Sequence, residues 1–228
     1  MKADPRVSGW AFNKFQEIPI LVTSLMIVVA VIGVLVVPSP LILILLFISI
    51  GIWVVIIQFF RDPARDIHCQ SNQVLSPADG VIKDITTVLE QDYYQEPRIR
   101  VGIFLSLFNV HVQRAPLSGR VAFVNHQSGK YLPAYEPASS YENAQITLGI
   151  DSEFGLIIIK QISGILARKC VNYSNTGDQI QAGQRYGLIK FGSRVEIFLP
   201  ASTELLCTVG DKVYGGLTIL ANVPEKDL

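Results

Sequence analysis

The chain has 228 residues, of which 50% are hydrophobic, and its mean hydropathy is +0.38. This is too apolar for an ordinary single soluble domain, so part of the chain is expected to lie in lipid. Lysine plus arginine equals aspartate plus glutamate at 19 each, so no overall positive charge favours nucleic acid as a partner. The three cysteines are far apart and form no CxxC pair, which disfavours a disulfide framework or a zinc site and favours a reducing compartment.

Two uncharged runs dominate the N-terminal quarter, after residues 1–18, whose mixture of basic and aromatic side chains is typical of an interfacial segment. The runs Pro19–Val37 and Leu41–Phe60 are 19 and 20 residues long. At about 1.5 Å per residue, each reaches roughly the 30 Å of a hydrocarbon core, which predicts a transmembrane helical hairpin over residues 19–60. Two alternatives fit less well. A signal peptide would have a shorter apolar part and a small-residue cleavage site, and a buried core hairpin would need more polar surface around it.

Basic side chains lie on both sides of this hairpin, at Lys2, Arg6 and Lys14 before it and at Arg61 and Arg65 after it. The positive-inside rule places both flanks in the cytoplasm. The rest of the chain, residues 61–228, is therefore predicted to form a domain on the cytoplasmic face of the inner membrane. The turn that holds Arg61 and Arg65 is interpreted as solvated, with its guanidinium groups near lipid phosphates.

From Val74 onward the pattern is typical of β structure, because short branched and aromatic runs are broken by Gly, Pro, Asn and Asp. The turn of a hairpin is predicted at Asp151–Gly155, and a short helix around residues 136–144. The predicted strands include Arg98–Phe104, Gly119–Val124, Ile146–Ile150, Leu156–Ile159 and Val195–Leu199.

A weak internal repeat, GDx(V/I)xxG, occurs at Gly177–Gly183 and at Gly210–Gly216. It is similar to turns of biotinyl and lipoyl carrier domains and of other barrel-sandwich folds, where glycine supplies a positive φ and aspartate caps the turn. No lysine stands at a hairpin tip in that context, which disfavours a swinging-arm carrier. The predicted fold is therefore mainly β, a barrel-sandwich-like domain preceded by the transmembrane helical hairpin.

The Gly192-Ser193 pair stands between two runs that are typical of strands. A serine held behind a glycine, with a base nearby, can attack the preceding carbonyl in an N-to-O acyl shift that ends in chain scission. A flexible turn is the simpler interpretation of the pair. Two further motifs are candidates for chemistry: Leu75–Gly80, a tight turn with Asp79, and Phe104–Pro116, which contains His111.

These motifs together resemble the phosphatidylserine decarboxylases in their short, membrane-anchored form. Residues 191–200 closely resemble the family's processing site, residues 75–80 its SPxDG motif, and residues 104–116 its FLSxxNVHxxRxP motif. Residues 60–65 resemble its FRDPxR sequence, so the likeness runs from about Arg61 to the C-terminus. The resemblance implies self-cleavage between Gly192 and Ser193, after which Ser193 becomes a pyruvoyl group. That group would be the enzyme's one cofactor, without a metal, and chains 1–192 and 193–228 would stay together as a heterodimer.

The resemblance also implies roles for individual residues. Ser193 is the nucleophile, His111 the base that is oriented by Asp79, and Arg114 and Arg194 are the predicted substrate contacts. Further candidate anion contacts are Arg168 and Arg185. For these two and for Arg194, surface salt bridges are the alternative.

The chain departs from the longer bacterial members at one point of this motif. Those members carry two histidines spaced HxxH, whereas this chain has His111 followed by Arg114. Either His111 serves both self-cleavage and turnover, or another group, such as His126, serves one of them.

The predicted reaction is the conversion of phosphatidylserine to phosphatidylethanolamine and CO2 in phospholipid biosynthesis. The partner is a phospholipid at the membrane surface, nucleic acid is not expected, and a higher oligomer is compatible with the sequence. Three alternatives stay open: a pyruvoyl decarboxylase of another serine-headed lipid, a pyruvoyl-dependent amino-acid decarboxylase, and a non-enzymatic membrane-anchored β adaptor. The second of these leaves the apolar hairpin unexplained.

Overall fold

The computed structural model describes residues 14–90, 93, 95–165, 169–189 and 192–224. Most of the predicted interfacial segment and Arg168 lie outside the described residues. The described residues divide into two compact units, one within residues 14–63 and one within residues 64–224.

The smaller unit consists of two antiparallel helices, α1 (Lys14–Val36) and α2 (Pro40–Phe60). Pro40 opens α2, where its missing N–H costs nothing. The helices pack against each other, and Trp53 Nε1 donates a 3.0 Å hydrogen bond to Ser24 Oγ between them. The stretches Ile18–Val36 and Pro40–Phe60 are long and apolar enough to cross a membrane. The predicted pair of apolar helices is confirmed, while their insertion in a membrane stays a prediction.

The larger unit is mainly β, as predicted. Its elements are β1 (Gln73–Leu75), β2 (Gly80–Glu90), β3 (Glu96–Leu105), β4 (Val112–Arg114), β5 (Gly119–Gln127), α3 (Ser139–Glu142), β6 (Gln145–Ser152), β7 (Gly155–Ile162), β8 (Cys170–Asn172), β9 (Gln179–Ile180), β10 (Arg185–Ile189), β11 (Ser193–Pro200), β12 (Glu204–Leu205), β13 (Lys212–Val213) and β14 (Ile219–Asn222). The short helix and the β6–β7 hairpin both lie where the sequence predicts them.

A long curled sheet carries the strand order β13-β2-β3-β11-β7-β6-β5-β9. Two small sheets, β1-β14-β12 and β4-β10-β8, accompany it. Strand β11 lies between β3 and β7 and is antiparallel to both. Its residues from Ser193 to Leu199 are buried because both faces of the sheet are covered. Val195, Ile197 and Leu199 belong to the main hydrophobic core.

The internal repeat corresponds to two equivalent turns in the sheet. Gly177 and Gly210 have φ values of +96° and +101°, and the aspartate that follows each one accepts a hydrogen bond from a main-chain N–H three residues upstream of itself. The turns lead into β9 and β13, which form the two ends of the sheet and pair with β5 and β2. The repeat is therefore architectural, since it places matching edge strands on either side of a sheet centred on β7 and β11.

The three cysteines, Cys69, Cys170 and Cys207, are free thiols. Burial raises the pKa of Cys170 to about 12. Burial and the neighbouring Asp211 carboxylate raise the pKa of Cys207 to about 11. Both thiols are therefore expected to be protonated and unreactive at neutral pH.

Candidate active site

Ser193 is the first residue of β11 and is fully buried opposite Leu105 of β3. Its Oγ has no hydrogen-bond partner among the described residues, which exclude residues 190 and 191. The preceding Gly192 has φ +52°, a left-handed conformation that glycine adopts without a Cβ penalty. A Cβ on Gly164 would collide with the Gly192 carbonyl oxygen, so that oxygen packs closely against the Gly164 backbone. Ser193 is thus shielded from water, and the Gly192 carbonyl group that precedes it is tightly packed.

His111 lies in the loop between β3 and β4 and is also fully buried. Its main-chain oxygen accepts a 3.1 Å hydrogen bond from the Ile189 N–H at the end of β10. Its ring atom Nδ1 lies 2.9 Å from the Asn109 carbonyl oxygen. Because a carbonyl only accepts, this contact places the ring proton on Nδ1, so Nε2 carries the lone pair that can accept a proton.

The loop that holds this carbonyl is itself fixed. The Asn109 side-chain oxygen accepts hydrogen bonds from the Ser106 N–H at 2.8 Å and from Ser106 Oγ at 2.7 Å. The ring of His111 is therefore oriented by a rigid turn directly after β3.

Two buried glutamines connect the main chain of His111 to the sheet around Ser193. Gln113 Nε2 donates to the His111 carbonyl at 2.8 Å, and Gln161 Nε2 donates to Gln113 Oε1 at 2.9 Å. Gln161 lies on β7 directly opposite Val195. Because side chains alternate along a strand, Val195 and Ser193 share one face of β11, so this chain of hydrogen bonds ends on the face of the sheet that carries Ser193.

The sheet register brings the three predicted catalytic elements to one edge. Leu105 ends β3, with Ser193 paired to it on one side. On its other side β2 begins at Gly80, since Val81 pairs with Phe104. Asp79 and Ser193 are therefore about two strand spacings, roughly 10 Å, apart along the sheet. The loop with His111 leaves the strand between them.

Asp79 is held by Arg65 and by the main chain of the second GD turn. The two carboxylate oxygens lie 2.7 and 2.8 Å from the Arg65 guanidinium nitrogens, and Oδ1 accepts a 2.8 Å bond from the Gly215 N–H. Arg65 also donates to the Gly215 carbonyl. Both side chains are buried, so the interpretation of a solvated turn was wrong for Arg65. The described contacts give Asp79 and the His111 ring separate partners, and the role of Asp79 in orienting His111 stays a prediction.

Comparison with known proteins matches the family model "Phosphatidylserine decarboxylase" to residues 54–221. The chain belongs to the phosphatidylserine decarboxylase family. A relative from Carboxydothermus hydrogenoformans, named phosphatidylserine decarboxylase proenzyme, is 41% identical over 74% of this chain and 79% of its own length. Relatives with the same name from Wolbachia pipientis wMel and Amoebophilus asiaticus are 42% and 39% identical, over 75% and 78% of this chain and 76% and 79% of their own lengths.

The arginines that the family resemblance offered as substrate contacts are engaged inside the domain. Arg194 is buried, with Nε 2.7 Å from Glu196 Oε1 and Nη2 2.7 Å from the Asp84 carboxylate. Burial lowers the pKa of Arg194, but the Glu196 charge and the hydrogen bonds to Asp84 and Glu196 outweigh it, so the pKa is raised. Arg114 is buried as well and donates to the Gly183 carbonyl at 3.1 Å. Their contact with substrate stays a prediction, and both stabilise the fold around the site.

The remaining candidates lie at the periphery of the site or outside the described chain. Arg185 begins β10 opposite Arg114, Arg168 is outside the described residues, and the alternative base His126 is an exposed residue of β5.

Sequence reasoning missed the contacts of three residues in this phosphatidylserine decarboxylase site: Arg65, Gln161 and Gly164. Arg65 had a signal in the FRDPxR resemblance, but its partner Asp79 is 14 residues away and nothing local predicts the pair. Gln161 lies in β7 and Gly164 follows that strand, and both are beyond the predicted strand Leu156–Ile159. Their contacts with Gln113 and Gly192 depend on how distant strands pair.

The Arg65–Asp79 pair predicts a large loss of stability when one partner is removed. In Arg65→Gln the Asp79 carboxylate stays buried without its counter-charge, and the free energy of unfolding is expected to fall by about 3–5 kcal/mol. Urea denaturation of an uncut Ser193→Ala background in detergent, followed by far-UV circular dichroism, measures this. Arg120→Gln, at an exposed position of β5, is the matched control. Equal stability of the two variants would contradict the prediction.

Proposed function

We propose that the chain is a self-processing, pyruvoyl-dependent decarboxylase that converts phosphatidylserine to phosphatidylethanolamine and CO2 in phospholipid biosynthesis. The observation that carries the proposal is the fully buried Ser193, which follows a glycine at φ +52° in a member of a family whose relatives are named proenzymes. A flexible turn would leave this serine exposed, whereas here it is the first residue of the central strand.

Self-processing begins with proton transfer from Ser193 Oγ to Nε2 of His111. Oγ then attacks the Gly192 carbonyl carbon, and the bond from that carbon to the Ser193 nitrogen breaks as an ester forms and the nitrogen takes up the proton. Loss of the Ser193 Cα proton breaks the Cβ–Oγ bond, and the Gly192 carboxylate leaves as the new C-terminus of chain 1–192. The remaining enamine tautomerises, water adds and ammonia departs, which leaves a pyruvoyl group at the start of chain 193–228.

The surroundings of Ser193 fit such a group. The group would lie at the buried start of β11, shielded from water. The neighbouring backbone at Gly164 leaves no space for a side chain. When present, a pyruvoyl group supplies the electron sink for decarboxylation. His111 then returns a proton to the substrate carbon, from the loop whose geometry already sets its tautomer.

Strand pairing supports a lasting heterodimer of the two chains. Within chain 193–228, β11 pairs with β3 and β7, β13 with β2, and β14 with β1, all of which belong to chain 1–192. Cleavage before Ser193 breaks one peptide bond and leaves these ladders intact.

The apolar helices explain why the substrate is a lipid. A soluble amino acid needs no membrane anchor, whereas a phospholipid head group stays at the bilayer surface, where a tethered enzyme meets it at high effective concentration. By the positive-inside rule, the basic flanks support a catalytic domain on the cytoplasmic face of the inner membrane. Protease accessibility of residues 64–228 in sealed inside-out vesicles tests that orientation, and full protection there would contradict it.

The proposed reaction is tested with vesicles that contain phosphatidylserine labelled in the serine carboxyl carbon. The purified protein is expected to release labelled CO2 and to form phosphatidylethanolamine in equal amounts. Free serine and a second serine-headed lipid, supplied in parallel, separate the lipid alternatives from an amino-acid decarboxylase. A folded, uncut protein that releases no CO2 from any of them would favour the adaptor module instead.

A further inference from the structure

A polar cavity of about 240 Å³ lies beside the end of strands β6 and β7, in a region to which no role has been assigned. Its wall includes Gln145, Ser163 and Cys170, and its rim includes His126, Tyr131 and Lys169. This volume is at the small end of the range for ligand sites, which runs from about 300 to 1,000 Å³. It suits the head group of a lipid and not its acyl chains.

The cavity reaches the strand that lies directly beside Ser193. The β7–β11 ladder ends with the pair Ile162–Arg194, so the next residues in the same register are Ser163 and Ser193. The Cβ atoms of directly opposed residues lie about 4.5–5.5 Å apart. The close approach of Gly164 to the Gly192 carbonyl oxygen shows that this register continues to the cleavage point. A ligand in the cavity therefore adjoins the reacting residue.

One buried polar atom of the cavity lining has no partner among the described residues. It is Ser163 Oγ, in a side chain that is 1% exposed. Ser163 follows Ile162, the partner of Arg194, so its side chain lies on the same face of the sheet as Ser193. A buried polar atom without a partner costs about 1–3 kcal/mol, and a polar ligand in the cavity would recover that cost.

The charge of the cavity favours an anionic ligand. Lys169 lies on its rim beside His126, and none of the described residues that line the cavity is an aspartate or a glutamate. A phosphoserine head group carries a phosphate, a carboxylate and one ammonium group, so its net charge is negative. Lys169 matches the phosphate, while the Ser163 hydroxyl matches the carboxylate of the amino-acid end.

We propose that this cavity binds the phosphoserine head group of the substrate, with Lys169 on the phosphate and with Ser163 holding the amino-acid end next to residue 193. The inference rests on the proposed function and extends it to substrate recognition. It also explains how the site binds a solvated anion although Arg194 is already paired with Asp84 and Glu196.

The test compares Lys169→Gln with Lys212→Gln, a matched change at an exposed position of β13. In mixed micelles of detergent and phosphatidylserine, Lys169→Gln is expected to raise KM about tenfold, because a charge-assisted hydrogen bond is lost. The kcat and the self-cleavage seen by intact mass spectrometry should stay within about twofold of wild type in both variants. An unchanged KM for Lys169→Gln in an active enzyme overturns the proposal.

A second measurement is independent of catalysis. Uncut Ser193→Ala protein is titrated with glycerophosphoserine and, separately, with inorganic phosphate. We expect saturable binding of glycerophosphoserine that Lys169→Gln weakens about tenfold and that phosphate does not reproduce. Equal binding of both ligands, or binding of glycerophosphoserine that Lys169→Gln does not weaken, overturns the head-group site. Lys169-dependent binding in a protein that decarboxylates no lipid would uphold the cavity and reject the proposed reaction.

Discussion

Replacement of Ser193 by alanine is expected to leave a single chain of 25.2 kDa and to abolish decarboxylation. The wild-type protein is expected to yield chain 193–228. Its 36 residues, out of 228, correspond to a mass of about 4 kDa. Without Oγ, no attack on the Gly192 carbonyl takes place and no pyruvoyl group forms. Intact mass spectrometry of both proteins measures cleavage, and the small fragment should be one ammonia lighter than a fragment that begins with serine.

Ser202→Ala is the matched control, since it makes the same change at an exposed position of the same fragment. It should cleave and decarboxylate like wild type. An uncut wild-type chain that is folded, or cleavage that continues in Ser193→Ala, would reject the self-processing mechanism and with it the pyruvoyl cofactor.

Replacement of His111 by glutamine should slow self-cleavage by a factor of about 10²–10⁴, the usual contribution of a general base. Glutamine is close in size to histidine and its amide can still donate a hydrogen bond to the Asn109 carbonyl, but it has no basic nitrogen to replace Nε2. The rate is measured by the appearance of the small fragment after synthesis in a cell-free system. His68→Gln, at an exposed position, is the matched control and should cleave at the wild-type rate.

The same variant separates the two roles that one histidine would have to combine. Normal cleavage in His111→Gln would mean that another group is the base in self-cleavage, with His126 as the first candidate. Normal cleavage together with lost CO2 release would restrict His111 to turnover. Slowed cleavage, in a variant that folds, is the result that the buried Nε2 position predicts, and CO2 release then falls with it because no pyruvoyl group forms.

Local sequence predicted the elements of this fold well because their causes are local. The two apolar runs are long enough to cross a bilayer whatever surrounds them, and the structure forms helices over nearly the same residues. The hairpin at Asp151–Gly155 and the two GD turns follow from glycines that adopt positive φ, at Gly155, Gly177 and Gly210. The strand after Ser193 was predicted from its alternating branched residues.

The motifs around Asp79, His111 and Ser193 were found by their resemblance to a family, and the family is confirmed. Local pattern alone left Asp79 and Ser193 with simpler interpretations, as a turn aspartate and as part of a flexible Gly-Ser pair. The sheet register then showed why the three motifs belong together, since β2, β3 and β11 place them at one edge.

The sequence by itself thus determined the pair of apolar helices, the mainly β class and the turns, since these depend on composition and on backbone preferences within a few residues. The tertiary structure decided which polar groups are partners. Arg194 meets Asp84 across 110 positions, and the Gly215 N–H meets Asp79 across 136. Ser163 lies opposite Ser193 only through the pairing of β7 with β11. Long-range strand pairing sets such contacts, and because pairing follows burial of the whole sheet, no segment of the chain specifies them alone.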